Sequence, residues 1–390
     1  MKLLVVAPHP FFSFRGTPFS VYYRALVMAE QGVSIDLLTY GDGEDVDIEG
    51  MRIVRIPTIP FLAPIPVGPS WKKLVLDSLM ILWTIALLLR HRYDAVHAHE
   101  EAVFWCRLLK PVFRFRLIYD MHSSLPQQLE NFKFTKSPLL LKTFRRLEDT
   151  CLHAADAVIT ICPELSDYAL GAGVDPARHL LIENCIFDEV KLKRGAAGAQ
   201  CGEPLVQIDA DRPLVLYAGT FEAYQGVEML AEAFAEVRRS RPDAQLLLIG
   251  GMPAQVEAIR TLADSLGLGF SCVVTGRVGK AEVLKYTRAA QVLVSPRLHG
   301  TNTPLKIYEQ LASGKALVAT RITSHTQILD DSVCYLVDPD AASLAAGIVA
   351  ALSDTAQRAL RTDNARALYE RNYSRPVYEG RIRRLLEILA

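Results

Sequence analysis

The sequence predicts an α/β fold: two doubly wound parallel-sheet domains facing across a cleft. Three observations predict it. Short continuous apolar runs alternate with helical stretches along almost the whole chain, the pattern of parallel strands covered by helices on both faces. The runs are numerous enough for two sheets. Between the two sets, residues 188–212 lose the periodicity and become rich in Ala, Gly, Lys and Asp, as a linker does. The chain has 390 residues, and a domain takes roughly 100–200. In such folds ligands bind beyond the carboxyl ends of the strands.

In order, the first domain has strand candidates at residues 2–7, 34–39, 95–98, 117–119 and 157–161. The second has them at 215–218, 246–249, 272–275, 292–295 and 316–319. Helical stretches at 20–31, 227–239, 256–266 and 282–289 lie between them. The domains are therefore expected at 1–187 and 188–370. The apolar run after Lys2 ends at Pro8. It is shorter than the roughly 7–15 residues of a signal-peptide core and reads as a buried first strand.

Half of the residues are hydrophobic and 22% are charged, which excludes a disordered chain. Lys plus Arg equals Asp plus Glu at 43, so there is no basic excess to attract nucleic acid, and none is expected as a partner. The seven cysteines form no C-x-x-C pair, so reduced thiols in a cytoplasmic protein are expected rather than a disulfide framework or a zinc ribbon. Residues 74–89 are apolar except for Asp77 and Ser78 and Thr84, with Lys72 and Lys73 before them and Arg90, His91 and Arg92 after them. They fall short of the roughly 20 residues of a membrane span. A helix packed on the domain is expected. Its basic flanks, with Trp71 and Trp83, also suit one lying in a membrane surface.

Four constellations carry chemistry. The first runs from Gly300 to Gly314. Thr303 suits a helix N-cap, Pro304 the first helical position and Gly314 the residue past the end. Leu305, Tyr308, Leu311 and Ala312 form the expected buried stripe, and Lys306 and Glu309 share a face. A helix start with free amides and a lysine is an anion site; a capped helix with a surface Lys–Glu pair fits the pattern equally. In the second, a strand leads through Arg15 to Gly16, with Thr17 and Pro18 opening a helix that ends at Gly32. The G-x-G-x-x-G fingerprint is absent, which disfavours a nicotinamide dehydrogenase. Third, His97 and His99 share one face of a strand and read as buried, hydrogen-bonded residues. His122 closes the next strand where ligands bind, and no metal is assigned to the three. Fourth, a strand runs into Gly219, which lets a phosphate approach the backbone, then through a polar loop to Gly226 and a helix. The three D-x-D triplets lie in turns and read as solvated residues.

Together these residues resemble glycosyltransferase family 4, the retaining glycosyltransferases with the GT-B fold of two Rossmann-like domains. The similarity is carried by the glycine loop at Gly16, YDAVHAH at 93–99, YDMHSS at 119–124, ADAVITIC at 155–162 and IENCIF at 182–187. LYAGTFEAYQG from Leu216 and KIYEQLASGKALVAT from Lys306 complete it. The resemblance implies that Gly16 and Thr17 lie near a donor diphosphate. His122 would meet the transferred sugar, and Gly219 and Thr220 would flank the phosphates. Arg277 and Val278 would border the base, and Glu309 would hold the ribose. It also implies that a C-terminal helix within 371–390 crosses back onto the first domain. Two features depart from the family. Many members place an arginine and a lysine where this chain has Thr220 and Gln225, and a first glutamate where it has Thr301. Lys306 and Arg297 are the expected replacement cations, beside Thr303, Pro304 and Leu305 at the helix start.

The expected activity is transfer of a hexose-type sugar from a nucleotide diphosphate sugar to a hydroxyl acceptor, without metal or other cofactor. The apolar stretch 59–67, Trp71 and the helix after it suit a lipid-linked acceptor and peripheral contact with the inner face of a membrane. An internal helix under a long loop accounts for the same stretch. A sugar-nucleotide epimerase and a catalytically silent binding subunit are the alternatives.

Overall fold

The structure is a computed structural model and describes residues 1–13, 16–62, 70–124, 138–184, 190 and 208–390. The chain divides into two compact units, Met1–Ala196 with Arg375–Ala390, and Ala197–Ser374. Most of the expected linker lies outside the described residues, as do Arg15, Ala63 to Val67, and Cys185 to Phe187 of the IENCIF match.

In the first unit the strands are β1 (Lys2–Ala7), β2 (Ser34–Thr39), β3 (Met51–Arg55), β4 (Ala95–His99), β5 (Arg116–Met121), β6 (Ala157–Thr160) and β7 (His179–Leu181). The helices are α1 (Gly16–Glu30), α2 (Trp71–Arg90), α3 (Ala102–Phe113), α4 (Pro138–Ala154) and α5 (Pro163–Gly171). The described strands form one seven-stranded sheet in the order β3-β2-β1-β4-β5-β6-β7, and every pairing is parallel. The order reverses between β1 and β4. That is the switch point at which such a sheet leaves a crevice at its carboxyl edge.

The second unit repeats the design. Its strands are β8 (Leu214–Ala218), β9 (Gln245–Ile249), β10 (Cys272–Thr275), β11 (Val292–Ser295), β12 (Ala316–Thr320) and β13 (Tyr335–Val337). The helices are α6 (Val227–Ser240), α7 (Pro253–Ser265), α8 (Lys280–Ala289), α9 (Leu305–Ala312), α10 (Thr323–Thr326), α11 (Ala341–Ser353) and α12 (Thr355–Asn372). The sheet order is β10-β9-β8-β11-β12-β13, again parallel, with its switch point between β8 and β11. Each sheet has its own apolar core, one built on Leu4, Val6, Val96 and Leu117, the other on Val215, Leu246, Val294 and Val318.

The last helix, α13 (Arg375–Leu389), belongs to the first unit. It buries Tyr378, Ile382, Leu385 and Leu389. Arg375 pairs with Glu30 at the end of α1 at 2.6 Å, Gln31 Nε2 donates to the Glu379 carbonyl at 3.0 Å, and Arg381 pairs with the buried Glu183 at 3.2 Å.

Several expectations need correcting. β3, β7 and β13 were not expected. They are edge strands of three to five residues; β3 and β7 mix apolar residues with Arg or His, whereas β13 lies in the apolar run at 333–337 and was readable from it. α1 begins at Gly16 rather than at Thr17 or Pro18 and ends at Glu30. Pro304, not Thr303, is the N-cap of α9, and Leu305 is its first residue. The buried stripe of that helix is therefore Ile307, Tyr308 and Leu311, while Leu305 is only half-buried and Ala312 is exposed. α2 is a one-sided helix with Leu76, Met80, Thr84, Leu87 and Leu88 buried, and among the described residues no helix is long and apolar enough to cross a membrane. The five described cysteines, Cys106, Cys151, Cys162, Cys272 and Cys334, are buried thiols outside any disulfide. Cys185 and Cys201 lie outside the described residues.

Candidate functional site

Two constellations emerge, one at the carboxyl edge of each sheet. In the second unit, β8 ends at Ala218 and delivers Gly219 and Thr220 to the switch point. Tyr217 folds back over this corner, and its hydroxyl donates to the Thr220 carbonyl at 2.6 Å. A Cβ on Gly219 would lie 2.8 Å from that hydroxyl, so a side chain there would push the Tyr217 ring out of its place. From the other side of the switch point, β11 delivers Arg297. Its guanidinium lies over the Tyr224 ring, 5.2 Å from the centroid, and donates to the His299 carbonyl at 2.9 Å and the Asn302 carbonyl at 3.1 Å. Gly300, at φ 146°, leaves the space that this guanidinium occupies.

The start of α9 completes the group. The Thr303 hydroxyl is buried and has no hydrogen-bond partner. The Lys306 ammonium is likewise buried without a partner, 4.3 Å from the centre of the Tyr217 ring. Burial, and then the nearby Arg297 guanidinium, push the lysine down to about 7. Ring attraction offsets only part of the cost of desolvating an ammonium. Among the described residues Lys306 forms no ion pair with Glu309, so the surface-pair reading of this helix does not hold. Glu309 is exposed. The helix start leaves its first amides without intrahelical partners and carries the positive end of the dipole. The result is a place where two cations, a hydroxyl and a helix start converge without an anion.

Not every residue expected here belongs to that group. Arg277 and Val278 follow β10, one strand beyond β9 and away from the switch point. Pro304 and Leu305 contribute backbone at the helix start. Tyr217, which builds the corner and faces the lysine, was missed by sequence reasoning. Its position inside an apolar strand run reads only as core.

In the first unit Gly16 and Thr17 open α1. A Cβ on Gly16 would meet nothing within 4 Å, so the backbone there is approachable. His122 is the residue after β5 and is 3% exposed. It ends a buried polar network centred on Asp120. His97 Nε2 lies 2.8 Å from Asp120 Oδ2, and Arg24 Nε lies 3.1 Å from the same oxygen. His99 Nδ1 lies 3.4 Å from Asp120 Oδ2 and 3.0 Å from His122 Nε2. Burial alone would raise the Asp120 carboxyl, but Arg24 and the imidazoles hold it well below the usual range. Burial pushes His99 well down and His122 to about 4, so both are neutral at pH 7. His97 and His99 are buried and hydrogen-bonded, as expected.

Arg24 was not foreseen. It bonds the Ser20 hydroxyl and the Ile182 carbonyl at 2.9 Å, and Ser20 donates to Asn184 Oδ1 at 2.5 Å. The carboxyl edge of β5 is thereby tied to Ile182 and Asn184 after β7. Beside the network, Glu100 closes β4 in the left-handed region at φ 48°. Tyr40 donates to Asp77 of α2 at 2.6 Å, and Lys73 pairs with Glu101 at 2.7 Å. Burial raises both the Asp77 and the Glu100 carboxyls. His97, His99 and Asp120 offer ligand atoms within 4.8 Å of one another, but the 2.8 Å contact is a hydrogen bond and the guanidinium already neutralises the carboxylate.

The chain is similar to known proteins over its whole length. The family described as "Glycosyl transferase 4-like domain" matches residues 20–185, and "Glycosyl transferases group 1" matches residues 212–354. A phosphatidyl-myo-inositol mannosyltransferase of Mycobacterium tuberculosis is 30% identical, over 100% of this chain and 97% of its own. The sucrose-phosphate synthase of Thermosynechococcus elongatus has the same fold, with a TM-score of 0.73 at 23% identity over 99% of this chain and 98% of that one. So has HepE of Anabaena, solved in complex with UDP, with a TM-score of 0.70 at 14% identity over 99% of this chain and 100% of that one. With two parallel-sheet domains and an anion-ready corner in the second, this chain belongs to glycosyltransferase family 4 and is a glycosyltransferase of the GT-B fold.

Proposed function

We propose that the enzyme moves a hexose-type sugar, with retention of configuration, from a nucleoside diphosphate donor to the hydroxyl of a lipid-linked acceptor. The observation that carries this reading is the buried Lys306 ammonium without a counterion, beside the Thr303 hydroxyl and the start of α9. A buried cation is costly unless an anion meets it. A diphosphate would supply that anion, and its charge grows as the bond to the sugar breaks. Lys306, Arg297 and the amides of α9 are fixed in advance of that moment, which is how such groups lower a barrier. Gly219 and Thr220 would receive the phosphates at the β8 corner, with Glu309 toward the ribose and Arg277 and Val278 toward the base. In the first unit, Gly16 and Thr17 would approach the diphosphate and His122 the sugar. The UDP in the HepE neighbour and the lipid named for the mycobacterial relative support donor and acceptor classes.

An exposed apolar face supports the lipid reading. On α2, Trp71 is 62% exposed, Leu74 67%, Leu82 58% and Leu89 73%, and on α3 Leu108 is 64% and Val112 70% exposed. Lys72 and Arg90 flank the α2 stripe and Arg107 lies on α3, while Lys73 and Lys110 are paired with Glu101 and Asp156. An apolar stripe flanked by bases suits the headgroup layer of an anionic membrane, here its cytoplasmic face.

Calorimetric titration with a panel including UDP-glucose and GDP-mannose tests the donor site. One donor should bind, and Lys306→Met should weaken it at least ~10-fold, which corresponds to about 1.4 kcal/mol, while the fold stays intact. Undiminished affinity together with undiminished transfer in the variant would remove Lys306 from the site. Turnover of the donor without any acceptor would replace transfer by epimerisation.

A further inference from the structure

Arg297 reaches the anion corner on a loop, and that loop has a brace. Residues 296–304 lead from β11 to α9. α10 follows β12, the neighbour of β11, and so starts at the same carboxyl edge. Its His325 is fully buried and turns back between the two strand ends. Nε2 lies 3.0 Å from the hydroxyl of Ser295, the last residue of β11. Nδ1 lies 2.8 Å from the carbonyl of Thr320, the last residue of β12, and 3.2 Å from the hydroxyl of the same residue.

The hydrogens of this network have one consistent placement. A carbonyl only accepts, so the His325 hydrogen is on Nδ1. The Thr320 hydroxyl has a single hydrogen and gives it to the Arg297 carbonyl, so it cannot serve a bare Nδ1 instead. Nε2 is then the bare nitrogen and accepts from the Ser295 hydroxyl. Every polar atom of the three side chains is thereby partnered. The opposite tautomer would set a nitrogen lone pair against the Thr320 carbonyl oxygen at 2.8 Å. Burial pushes the imidazole down to about 4, with the Thr320 carbonyl opposing and Lys306 and Arg297 adding to the shift, which agrees with a single ring hydrogen.

What the network holds is the main chain of Arg297. Ser295 lies two residues before it, and the Thr320 hydroxyl grips its carbonyl. The guanidinium then curls over its own loop to the His299 and Asn302 carbonyls, at 2.9 and 3.1 Å, beside Thr303. Two residues beyond His325, Gln327 Nε2 donates to the Thr301 carbonyl, so α10 holds the loop at both ends. A side chain that meets a ligand is only as well placed as the groups that support it.

We propose that His325 is the positioning residue of Arg297: its Nδ1–H and bare Nε2 clamp the ends of β12 and β11 together, and through the Thr320 hydroxyl the clamp fixes the main chain that delivers the guanidinium to the start of α9. The clamp stands on the network alone. Its purpose, to hold Arg297 ready for a diphosphate, rests on the donor site proposed above. A histidine that merely filled the core would contribute to folding and not to what Arg297 does.

Nitrogen-15 histidine labelling tests the clamp. Side-chain nitrogen–proton correlation spectra of the wild-type protein at pH 7, with His325 identified by its loss in His325→Asn, should show its hydrogen on Nδ1. A hydrogen on Nε2, or on both nitrogens, overturns the proposal. The second arm is a double-mutant cycle read by calorimetric titration with UDP and with GDP. Arg297→Met and His325→Leu should each weaken the tighter nucleotide at least ~10-fold. The double variant should bind within about twofold of Arg297→Met alone, because a clamp that acts through the guanidinium has nothing left to hold once it is gone. His325→Asn, whose amide N–H can sit near the position of Nδ1, should restore most of the loss. Thr320→Val, which removes only the hydroxyl on the Arg297 carbonyl, should repeat the pattern of His325→Leu and serves where leucine at 325 prevents folding. Losses that multiply in the double variant, wild-type binding by His325→Leu or Thr320→Val, or an Asn variant as poor as the Leu variant overturn the role. Undiminished binding by Arg297→Met, or binding of neither nucleotide, overturns it by removing the donor-site reading itself. The spectrum needs no nucleotide and decides the clamp in either case.

Discussion

Lys306 is where one side chain departs furthest from its ordinary chemistry. Folding takes its ammonium from a solvated value near 10.5 to about 7. A lysine lowered by folding destabilises the native state wherever it is charged. The penalty is therefore full below about pH 7, falls as pH rises, and is gone above about 10.5. Lys306→Met should accordingly raise the melting temperature of the ligand-free protein at pH 6, by on the order of 2 kcal/mol of stability. The gain should shrink steadily toward pH 10. Calorimetric melts of both proteins across that range check it, and a gain that grew with pH would contradict the assigned burial. An anion beside the lysine restores its charge, so donor binding at pH 8 should take up a proton. Arg24 shows why some of the site escaped sequence reasoning. An arginine in the run SVYYRALVMA reads as a surface residue, and its partner Asp120 is brought to it only by the pairing of β1, β4 and β5.

Helices and strands were legible in proportion to their burial. The central strands announce themselves because both faces are covered, which demands a continuous apolar run. β3, β7 and β13 have one open edge and three to five residues; Arg and His break up β3 and β7, while the apolar run at 333–337 around β13 was there to be read. At α9 the helix was legible but its cap was not. The hydroxyl of Thr303 reads as a cap, whereas the fold buries it unpartnered and makes Pro304 the cap. The buried stripe keeps Tyr308 and Leu311, takes in Ile307, and leaves Leu305 half-buried and Ala312 exposed. α2 was legible as a helix, but only the structure shows which face it leaves open. The double variant Leu82→Ser, Leu89→Ser touches that face alone. It should lower binding to phosphatidylglycerol-containing vesicles at least ~10-fold and leave the melting temperature nearly unchanged, because both side chains are already exposed. Flotation assays read the first and thermal melts the second. Wild-type protein that ignored such vesicles at low salt would show this face to have another purpose.

At the scale of the whole molecule, α13 is built from the last residues of the chain yet belongs to the unit built from the first. Removing residues 375–390 takes away four buried apolar side chains, each contributing roughly 1.5–3 kcal/mol, and the partner of buried Glu183, whose carboxyl is already raised to about 7 by burial. The truncated protein should therefore lose the first unit's melting transition or show it at least ~10 °C lower, while the second unit keeps its transition and its donor affinity. Differential calorimetry with and without donor separates the two. A truncation that lowered both transitions equally would mean that the units unfold as one. The same connectivity has a consequence during synthesis. The ribosome releases the first unit's strands and helices early, but the piece that completes them emerges only after the second unit. The second unit, contiguous in the chain, has all of its residues available sooner. In a nascent chain that can fold each unit as soon as it is whole, the later-encoded domain is finished first. The earlier-encoded one waits, its α1 surface uncovered, until α13 has followed the second unit.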